Sequence, residues 1–205
     1  GGLQDKSSSS YFTGSKALSA DDIYISDISL NQEGGAVATP HTPVIRFSTP
    51  VFDPSGVYRG AIVSNVYASS LLGRLRFDTG QVYMVREDLS FVLHPEAAQL
   101  FGSELGTGVN LEDDFQESHE GLKAAGTGSA ALVDGSRDEV VALRAINFDS
   151  LNPARHWVLL RTLPQGEVLS AVGTLRTLML GLASLAVLLA AAVAVWQSRS
   201  ITGAV

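Results

Sequence analysis

The chain of 205 residues carries 14 Lys and Arg against 21 Asp and Glu, a formal charge of −7 at pH 7. Because proteins that bind nucleic acid need clustered cations for the phosphates, this balance argues against a nucleic-acid-binding function. Hydrophobic residues make up 45% of the chain and charged residues only 17%, which excludes a largely disordered protein. The sequence contains no cysteine, so disulfides, thiol nucleophiles and thiolate-bound metal centres are excluded too.

The first predicted module covers residues 1–78 and is rich in β-strand signals. Its strand-like segments, rich in β-branched and aromatic side chains, are residues 23–26, 43–52 and 57–66. Residues 53–56 read Asp-Pro-Ser-Gly, a turn sequence in which proline fixes φ and glycine permits positive φ. This turn predicts a β-hairpin, and residues 68–76 are predicted to form a short connecting helix.

The second predicted module covers residues 79–165 and combines strands with one helix. Its five strand-like segments are residues 82–86, 90–94, 130–133, 139–146 and 157–161. Asn110, between the second and third segments, is a typical helix N-cap residue. The residues at helical spacing after it are Leu111, Phe115, His119 and Leu122, with Gly126 past the predicted end. Antiparallel strands with their helices on one side predict an α+β fold.

A membrane span is predicted at residues 177–198, a run of 22 residues without a charge. At ~1.5 Å rise per residue such a helix is roughly 33 Å long, enough for a hydrocarbon layer of about 30 Å. A buried core helix rarely stays apolar on every face over this length, which argues against that alternative. Residues 166–176 have a helical pattern and run into the span without a proline-rich linker. We therefore expect the two predicted modules before them to be mechanically coupled to the span.

Small residues repeat along the predicted span and would let another helix approach closely. They are Gly181, Ala183, Ala186, Ala190 and Ala194. The alternative, that alanine and glycine simply belong to the apolar composition of a membrane helix, stays open. The span carries no ionisable side chain, which argues against an ion or proton path through this helix.

A series of short motifs runs through the first hundred residues. They are Leu3-Gln4-Asp5-Lys6-Ser7, Tyr11-Phe12, Ile23-Tyr24-Ile25-Ser26, Leu30-Asn31, Glu33-Gly34, Pro43-Val44-Ile45-Arg46, Thr49-Pro50-Val51-Phe52-Asp53, Gly60 and Asn65, then Gly80-Gln81-Val82-Tyr83, His94-Pro95 and Phe101-Gly102. In this order they resemble the double Cache ectodomains, tandem PAS-like modules of bacterial transmembrane histidine kinases, chemoreceptors and diguanylate cyclases. After the span, residues 199–205 resemble the start of a HAMP linker, although Gly203-Ala204 stands where an Arg-Pro pair would follow.

The resemblance implies a tandem of two PAS-like modules followed by one transmembrane helix. By comparison with this family, the chain begins within the membrane-distal module and ends before any kinase, cyclase or methyl-accepting domain. The family also implies a location in the bacterial inner membrane, with a single pass. The N-terminal domain would lie in the periplasm and the C-terminus in the cytoplasm.

In this family the distal module binds small organic ligands, often carboxylates or amino acids, through an arginine in the segment before the Tyr-Phe pair. Here Ser9 stands at that place, so the bidentate carboxylate clamp of the family is absent. The polar residues that remain as candidate ligand-binding residues are Lys6, Tyr11, Tyr24, Arg46 and Asn65. For each, an ordinary structural role in the core, in a strand or at a strand end is the interpretation favoured over ligand binding.

No motif predicts catalysis, a metal site or a bound cofactor. The acidic segment with Glu112, Asp113, Asp114, Glu117, His119 and Glu120 lacks EF-hand spacing, and a solvated acidic face is the favoured interpretation. The histidines His41, His94, His119 and His156 do not show the helical two-His spacing of a metal site. We therefore expect a protein that is not an enzyme as it stands.

Two functional hypotheses follow from the sequence. In the first, the chain is the sensory half of a transmembrane receptor, in which a small organic ligand shifts a coupled membrane helix between two states. In the second, it is a structural accessory subunit of a larger membrane complex, for example a bacterial photosynthetic reaction-centre and light-harvesting assembly. The predicted partners are the membrane and other transmembrane helices, either those of a homodimer or those of a larger complex.

Overall fold

A computed structural model describes residues 4–75, 77–125 and 128–202. The chain divides into two compact units, Gly1–Leu163 and Pro164–Val205. The first unit contains two main β-sheets with short helices, and the second is a single helix. This confirms the predicted α+β class followed by one candidate membrane helix. The predicted ends at Gly126 and at Gly203-Ala204 lie outside the described residues.

The first sheet is built around a long central strand. Its elements are α1 (Ser10–Lys16), β1 (Tyr24–Ile25), β2 (Ser29–Leu30), β5 (Pro43–Phe52), β6 (Tyr58–Tyr67) and α2 (Ser69–Leu72), with a separate small hairpin of β3 (Gln32–Glu33) and β4 (Ala36–Val37). Strands β1, β2 and β6 all pair antiparallel with β5. The hairpin predicted from the turn at residues 53–56 is therefore confirmed, and the turn closes through Asp53, whose Oδ1 accepts the backbone N–H groups of Ser55 and Val57 at 2.9 Å each. The predicted helix at residues 68–76 is shorter than expected.

The second sheet has five strands in the order β8-β7-β11-β10-β9. Its elements are β7 (Gln81–Val85), β8 (Phe91–Leu93), α3 (Gly102–Leu105), α4 (Leu111–Asp114), α5 (His119–Ala125), β9 (Ser129–Asp134), β10 (Glu139–Asn147) and β11 (His156–Pro164), with one turn of 3-10 helix at Ala97–Gln99. The pairs β7–β8, β7–β11 and β9–β10 are antiparallel. All five predicted strands are present in the second half of this unit.

The helix predicted after Asn110 is split into α4 and α5. Asn110 caps α4 as predicted, because its Oδ1 accepts the backbone N–H of Glu112 at 2.8 Å. The chain leaves helical geometry at Phe115, whose side chain is fully buried. Ser118 then donates a hydrogen bond of 2.6 Å to Asp134 at the end of β9. This tertiary contact and the burial of Phe115 explain why one helix becomes two.

Two hydrophobic clusters fill the first unit. One lies within the second sheet and its helices and contains Tyr83, Phe91, Phe115, Leu143 and Leu160. The other joins residues that precede position 78 to residues that follow it; its members are Ile28, Leu30, Ile45, Ala68, Leu72, Met84, Val92, Phe101 and Trp157. The boundary predicted between two modules at residue 78 stays a prediction, with one main sheet on each side of it and a shared core between them.

Two glycines of the motif series are required by close backbone contacts. A Cβ on Gly80 would overlap the carbonyl oxygen of Thr162, and the φ of Gly80 is +74°. A Cβ on Gly102 would overlap the carbonyl oxygen of Val109. Any larger residue would push β7 away from β11 or open the start of α3, because neither obstacle is a flexible side chain.

The last element, α6 (Gln165–Thr202), is an uninterrupted helix of 38 residues. It runs through both the segment predicted to precede the membrane and the predicted span at residues 177–198. Within the described residues, the part long and apolar enough to cross a membrane is Gln165–Ala191, and none of its described side chains is buried. The small residues that could approach another helix are all exposed, as expected for a face without a partner in a single chain; they are Gly181, Ala183, Ala186, Ala190 and Ala194.

A polar cluster connects Ile28 and Leu30, at strand β2, to the second sheet and α3. Arg86, which directly follows β7, donates from Nη1 to Glu104 at 2.5 Å and to the carbonyl oxygen of Ile28 at 3.2 Å. Its Nη2 donates to Asp88 at 2.8 Å and to Ser103 at 2.7 Å. The other carboxylate oxygen of Glu104 accepts the backbone N–H of Leu30, across 74 residues of sequence, at 2.7 Å. Arg86 is 8% exposed and Glu104 15%, so water competes little for these bonds.

Replacing Glu104 by glutamine should destabilise the first unit by about 3 kcal/mol, because removing one partner leaves a buried cation undercompensated. Urea unfolding of the detergent-solubilised chain, followed by tryptophan fluorescence, measures the change. The matched control is Arg59→Gln, which breaks an ion pair to Asp53 from an arginine that is 64% exposed. An exposed pair of this kind contributes about 1 kcal/mol or less. Equal losses in the two variants would show that the cluster does not hold the sheets together.

Candidate functional site

A cavity of about 710 Å³ opens between the N-terminal segment, the first sheet and the polar cluster around Arg86. The segment before α1 supplies Lys6, and α1 supplies Tyr11. Strands β5 and β6 supply Arg46 and Asn65, which face each other directly in the register of the hairpin. The structure thus brings four of the five predicted ligand-binding residues to one cavity, although the sequence separates them by up to 59 positions.

Tyr24, the fifth predicted residue, is not among the residues that line this cavity. Its ring lies under the guanidinium group of Arg155, with the guanidinium carbon 4.8 Å from the ring centroid. The same ring packs so closely against Gly14 of α1 that a Cβ there would overlap it. Tyr24 therefore holds α1 and the second sheet together, which is the structural role that competed with ligand binding at the sequence level.

Arg46 is the buried cation of the cavity. It is 8% exposed, and its Nη1 donates a hydrogen bond of 2.8 Å to the hydroxyl of Ser29. Its guanidinium carbon lies 5.5 Å from the ring centroid of Tyr11, so the cation also faces the aromatic ring. Among residues 4–75, 77–125 and 128–202, no carboxylate lies within ion-pair distance of this guanidinium.

Asp27 is a carboxylate of the cavity wall that the sequence did not single out. Its Oδ1 accepts the backbone N–H of Ile28 at 2.8 Å and the indole N–H of Trp157 at 2.6 Å. Burial raises the pKa of Asp27 above its ordinary value, although the Trp157 hydrogen bond and the positive charge of Arg86 oppose this rise. Within the described part of the chain, no lysine or arginine forms an ion pair with it.

The other acids of the cavity are already engaged. Asp88 and Glu104 are bound to Arg86 in the polar cluster. Asp5 is exposed, and its carboxylate accepts the backbone N–H of Ser7 at 2.9 Å. Two charged side chains of the cavity, the buried Arg46 and the half-buried Asp27, therefore have no ionic partner among the described residues.

A second polar network lies in the other sheet and fastens its elements together. The ring of His94 accepts the backbone N–H of Glu96 at Nδ1, which leaves Nε2 to donate to Asp114 at 3.1 Å. Asp114 also accepts from Arg137 at 3.0 Å, and Arg137 donates to the hydroxyl of Tyr83 at 3.3 Å. These bonds join β7, α4 and the β9–β10 turn. His94 thus has a structural role.

The acidic segment is more structural than the solvated face expected for it. Asp113 accepts the backbone N–H of Asn110 in the helix cap, and Glu117 accepts the backbone N–H of Gly135 at 3.0 Å. Among the described residues, no group of three or more His, Cys, Asp or Glu side chains could hold a metal ion. Among the described residues that line the cavity there is no histidine.

Sequence reasoning missed Asp27, Ser29, Arg86 and Glu104 as members of this site. The motifs that identified Arg46 and Asn65 lie on long strands with a clear pattern, whereas Asp27 lies between two strands of only two residues each and Ser29 begins the second of them. Arg86 and Glu104 belong to the second sheet and α3, and only the packing of one sheet against the other brings them to the cavity.

Comparisons with known proteins agree with this architecture. A family model described as bacterial histidine kinase, sensor domain, matches residues 1–123. The extracellular domain of the histidine kinase vpHK1S-Z8 superposes with a TM-score of 0.65 at 20% identity, covering 83% of this chain and 60% of that one. A domain of a sensory box/GGDEF family protein from Vibrio parahaemolyticus has the same TM-score and identity over 78% and 60% of the two chains.

A third similar structure is the ligand-binding domain of the Pseudomonas fluorescens chemoreceptor CtaA in complex with L-isoleucine. It superposes with a TM-score of 0.55 at 14% identity, over 82% of this chain and 62% of that one. The chain thus spans about 60% of the length of the solved structures it matches. No curated protein matches it.

The family match covers more than half of the chain, and the matching structures are sensor domains of histidine kinases, chemoreceptors and GGDEF proteins. None of these findings supports the accessory-subunit hypothesis. The chain belongs to the bacterial histidine kinase sensor-domain family, and it is the sensor domain of a receptor-type protein that carries one candidate membrane helix.

Proposed function

We propose that the cavity binds a small zwitterionic organic molecule of the amino-acid class, and that this binding is the signal that the receptor detects. The observation that carries the proposal is Arg46, a buried guanidinium that faces the cavity and has no carboxylate partner among the described residues. A buried charge without a counter-charge costs roughly several kcal/mol of stability. Proteins retain such a charge where a ligand supplies its partner.

The carboxylate of the ligand would bind Arg46. A guanidinium group presents paired N–H donors that match the two oxygens of a carboxylate, and Asn65, opposite in the hairpin register, adds an amide. Arg46 would thus replace the arginine that the family has where this chain has Ser9. The two positions lie on different elements, yet both Ser9 and Arg46 line the cavity.

The cationic group of the ligand would bind near Asp27. This carboxylate is half-buried in the cavity wall, and the uncharged side chains of Ser26 and Ser29 line the cavity beside it. A cavity of about 710 Å³ has ample room for an amino acid with an apolar or polar side chain. Complexes of the chemoreceptor CtaA with L-serine, L-alanine, L-isoleucine and L-leucine support this ligand class.

The location that fits this role is the periplasm, with α6 crossing the inner membrane and the C-terminus in the cytoplasm. The small exposed residues of the helix would then contact the same helix of a second copy, since receptors of this architecture transmit a signal by shifting helices against each other. A ligand can shift such an equilibrium only through different affinities for its two states.

Replacing Arg46 by glutamine should lower the affinity for the bound amino acid roughly 10- to 100-fold, because a hydrogen-bonded charge pair contributes about 1.5–3 kcal/mol. Isothermal titration calorimetry of the solubilised chain against a panel of L-amino acids measures the effect. Arg59→Gln, an exposed arginine on the neighbouring strand, is the matched control and should bind as the wild type does. Unchanged affinity in the Arg46 variant would contradict the proposed site.

Replacing Asp27 by asparagine should stabilise the ligand-free protein at neutral pH. Because the folded-state pKa of Asp27 is raised, the native state holds more protons than the unfolded state between the ordinary value of 3.8 and the raised value. Wild-type stability therefore falls as the pH rises through this window, and the asparagine variant escapes that loss while still accepting the Trp157 bond. The free energy of unfolding, measured in urea between pH 3.5 and 7.5, gives the difference.

Asp53→Asn is the control of opposite sign. The backbone N–H of Val57 and the side chain of Arg59 lower the pKa of Asp53, so its contribution to stability appears above the ordinary pKa and is lost as the pH falls. This variant should be less stable than the wild type at neutral pH and equal to it in acid. If the Asp27 variant follows the same trend, its carboxylate is not the desolvated group described above.

The topology can be tested with single cysteines, since the chain has none of its own. A cysteine in place of Ser55, in the exposed hairpin turn, should react with a membrane-impermeant maleimide in cells whose outer membrane alone is permeable. A cysteine in place of Ser200 should react only after the inner membrane is opened. The reverse labelling pattern would place the sensor domain in the cytoplasm.

A further inference from the structure

The carboxylate of Asp27 belongs to the cavity and to the second sheet at the same time. Its Oδ1 accepts the indole N–H of Trp157 at 2.6 Å, across 130 residues of sequence. Within the described residues its other oxygen has no hydrogen-bond partner, although the residue lines the cavity. One oxygen thus holds the sheet, and the other remains for whatever enters the cavity.

Trp157 is well placed to pass a change at Asp27 to the rest of the molecule. It is the second residue of β11, is only 6% exposed, and its ring stacks on Phe148 with centroids 4.2 Å apart. It belongs to the hydrophobic cluster shared by both sheets. Strand β11 pairs with β7 from Val158 onward and ends at Pro164, and the next residue in the chain, Gln165, begins α6.

We propose that Asp27 is a positioning residue that couples the cavity to β11: a cationic group bound beside it keeps the carboxylate charged, and the charged carboxylate holds Trp157 more tightly. The proposal rests on the proposed function, since it needs a ligand with a cationic group. It adds the direction of the effect, because an occupied cavity strengthens the link to the strand that continues into the membrane helix.

The physical reason is the difference between a charged and a neutral acceptor. A hydrogen bond to an ionised carboxylate is roughly twice as strong as one to a neutral group. Burial raises the pKa of Asp27, so without a ligand the neutral form is present at higher pH than in an exposed aspartate. The charged groups that act on Asp27 are Arg86, which favours its ionised form, and Asp88, which disfavours it. A ligand cation adds to the effect of Arg86.

Thermodynamic linkage makes the coupling reciprocal. If the bound cation strengthens the hydrogen bond from Trp157 by some factor, then removing the Trp157 donor must lower the affinity for the cationic group by the same factor. Replacing Trp157 by phenylalanine should therefore lower the affinity for a ligand with an ammonium group by roughly three- to tenfold, because the coupling is only the difference between a hydrogen bond to a charged acceptor and one to a neutral acceptor. The affinity for an analogue that has the carboxylate but no ammonium group should not change.

The experiment uses the full chain in nanodiscs, with Trp196→Phe as the background, so that Trp157 is the sole remaining tryptophan. It is labelled with 5-fluorotryptophan and observed by fluorine NMR. The probes are L-alanine and L-lactate, which share the carboxylate and differ in the ammonium group. Without ligand, the Trp157 resonance should shift with pH in a transition above 3.8, and Asp27→Asn should abolish this shift.

L-Alanine should move the transition to lower pH, whereas L-lactate should not. If the Trp157 resonance of the ligand-free wild type does not respond to pH, the proposed coupling is wrong. This part of the experiment needs no ligand. If L-alanine binds with equal affinity to the wild type and to Trp157→Phe, the coupling is wrong while the proposed function stands. If the pH response depends on Asp27 but no amino acid of the calorimetric panel binds, the proposed function fails and the ligand class of the coupling fails with it.

Discussion

The contact between the stretch at residues 26–31 and the second sheet is the constraint on which the site depends. Arg86 and Glu104 reach from the second sheet and α3 to the backbone of Ile28 and Leu30, and Trp157 reaches from β11 to Asp27. All these bonds are long-range in sequence and at least partly buried, so each is expensive to break. They hold one wall of the cavity in place against the second sheet.

The charged side chains of the cavity form one paired and one unpaired set. The cluster of Arg86, Asp88 and Glu104 is internally paired, while Arg46 and Asp27 face the cavity without ionic partners among the described residues. A desolvated charge without an ionic partner lowers the stability of the empty protein, and a ligand of matching charge would restore it. Such a ligand acts as a signal only if it binds one of two states of the receptor more tightly than the other.

Ser9 and Arg46 both line the cavity, but they lie on different supports. Strand β5, which carries Arg46, is paired on both sides and is therefore a stiffer support than the segment before α1. Asn65 lies directly across from Arg46, so the same hairpin carries both side chains. The hairpin turn at residues 53–56, readable from four residues of sequence, therefore sets the position of two side chains of the site.

Local patterns in the sequence were sufficient for the strands, the hairpin, the helix cap at Asn110 and the apolar helix, because each depends on neighbouring residues and on periodicity. The resemblance in motifs also identified Lys6, Tyr11, Arg46 and Asn65, which the fold brings to one cavity. Only the tertiary structure decided where the helix breaks at Phe115 and that Tyr24 packs against Arg155 instead of lining the cavity. It also decided the contacts of Asp27, Arg86 and Glu104. Each depends on a partner tens of residues away, and no local signal records which distant side chain a folded chain will place beside it.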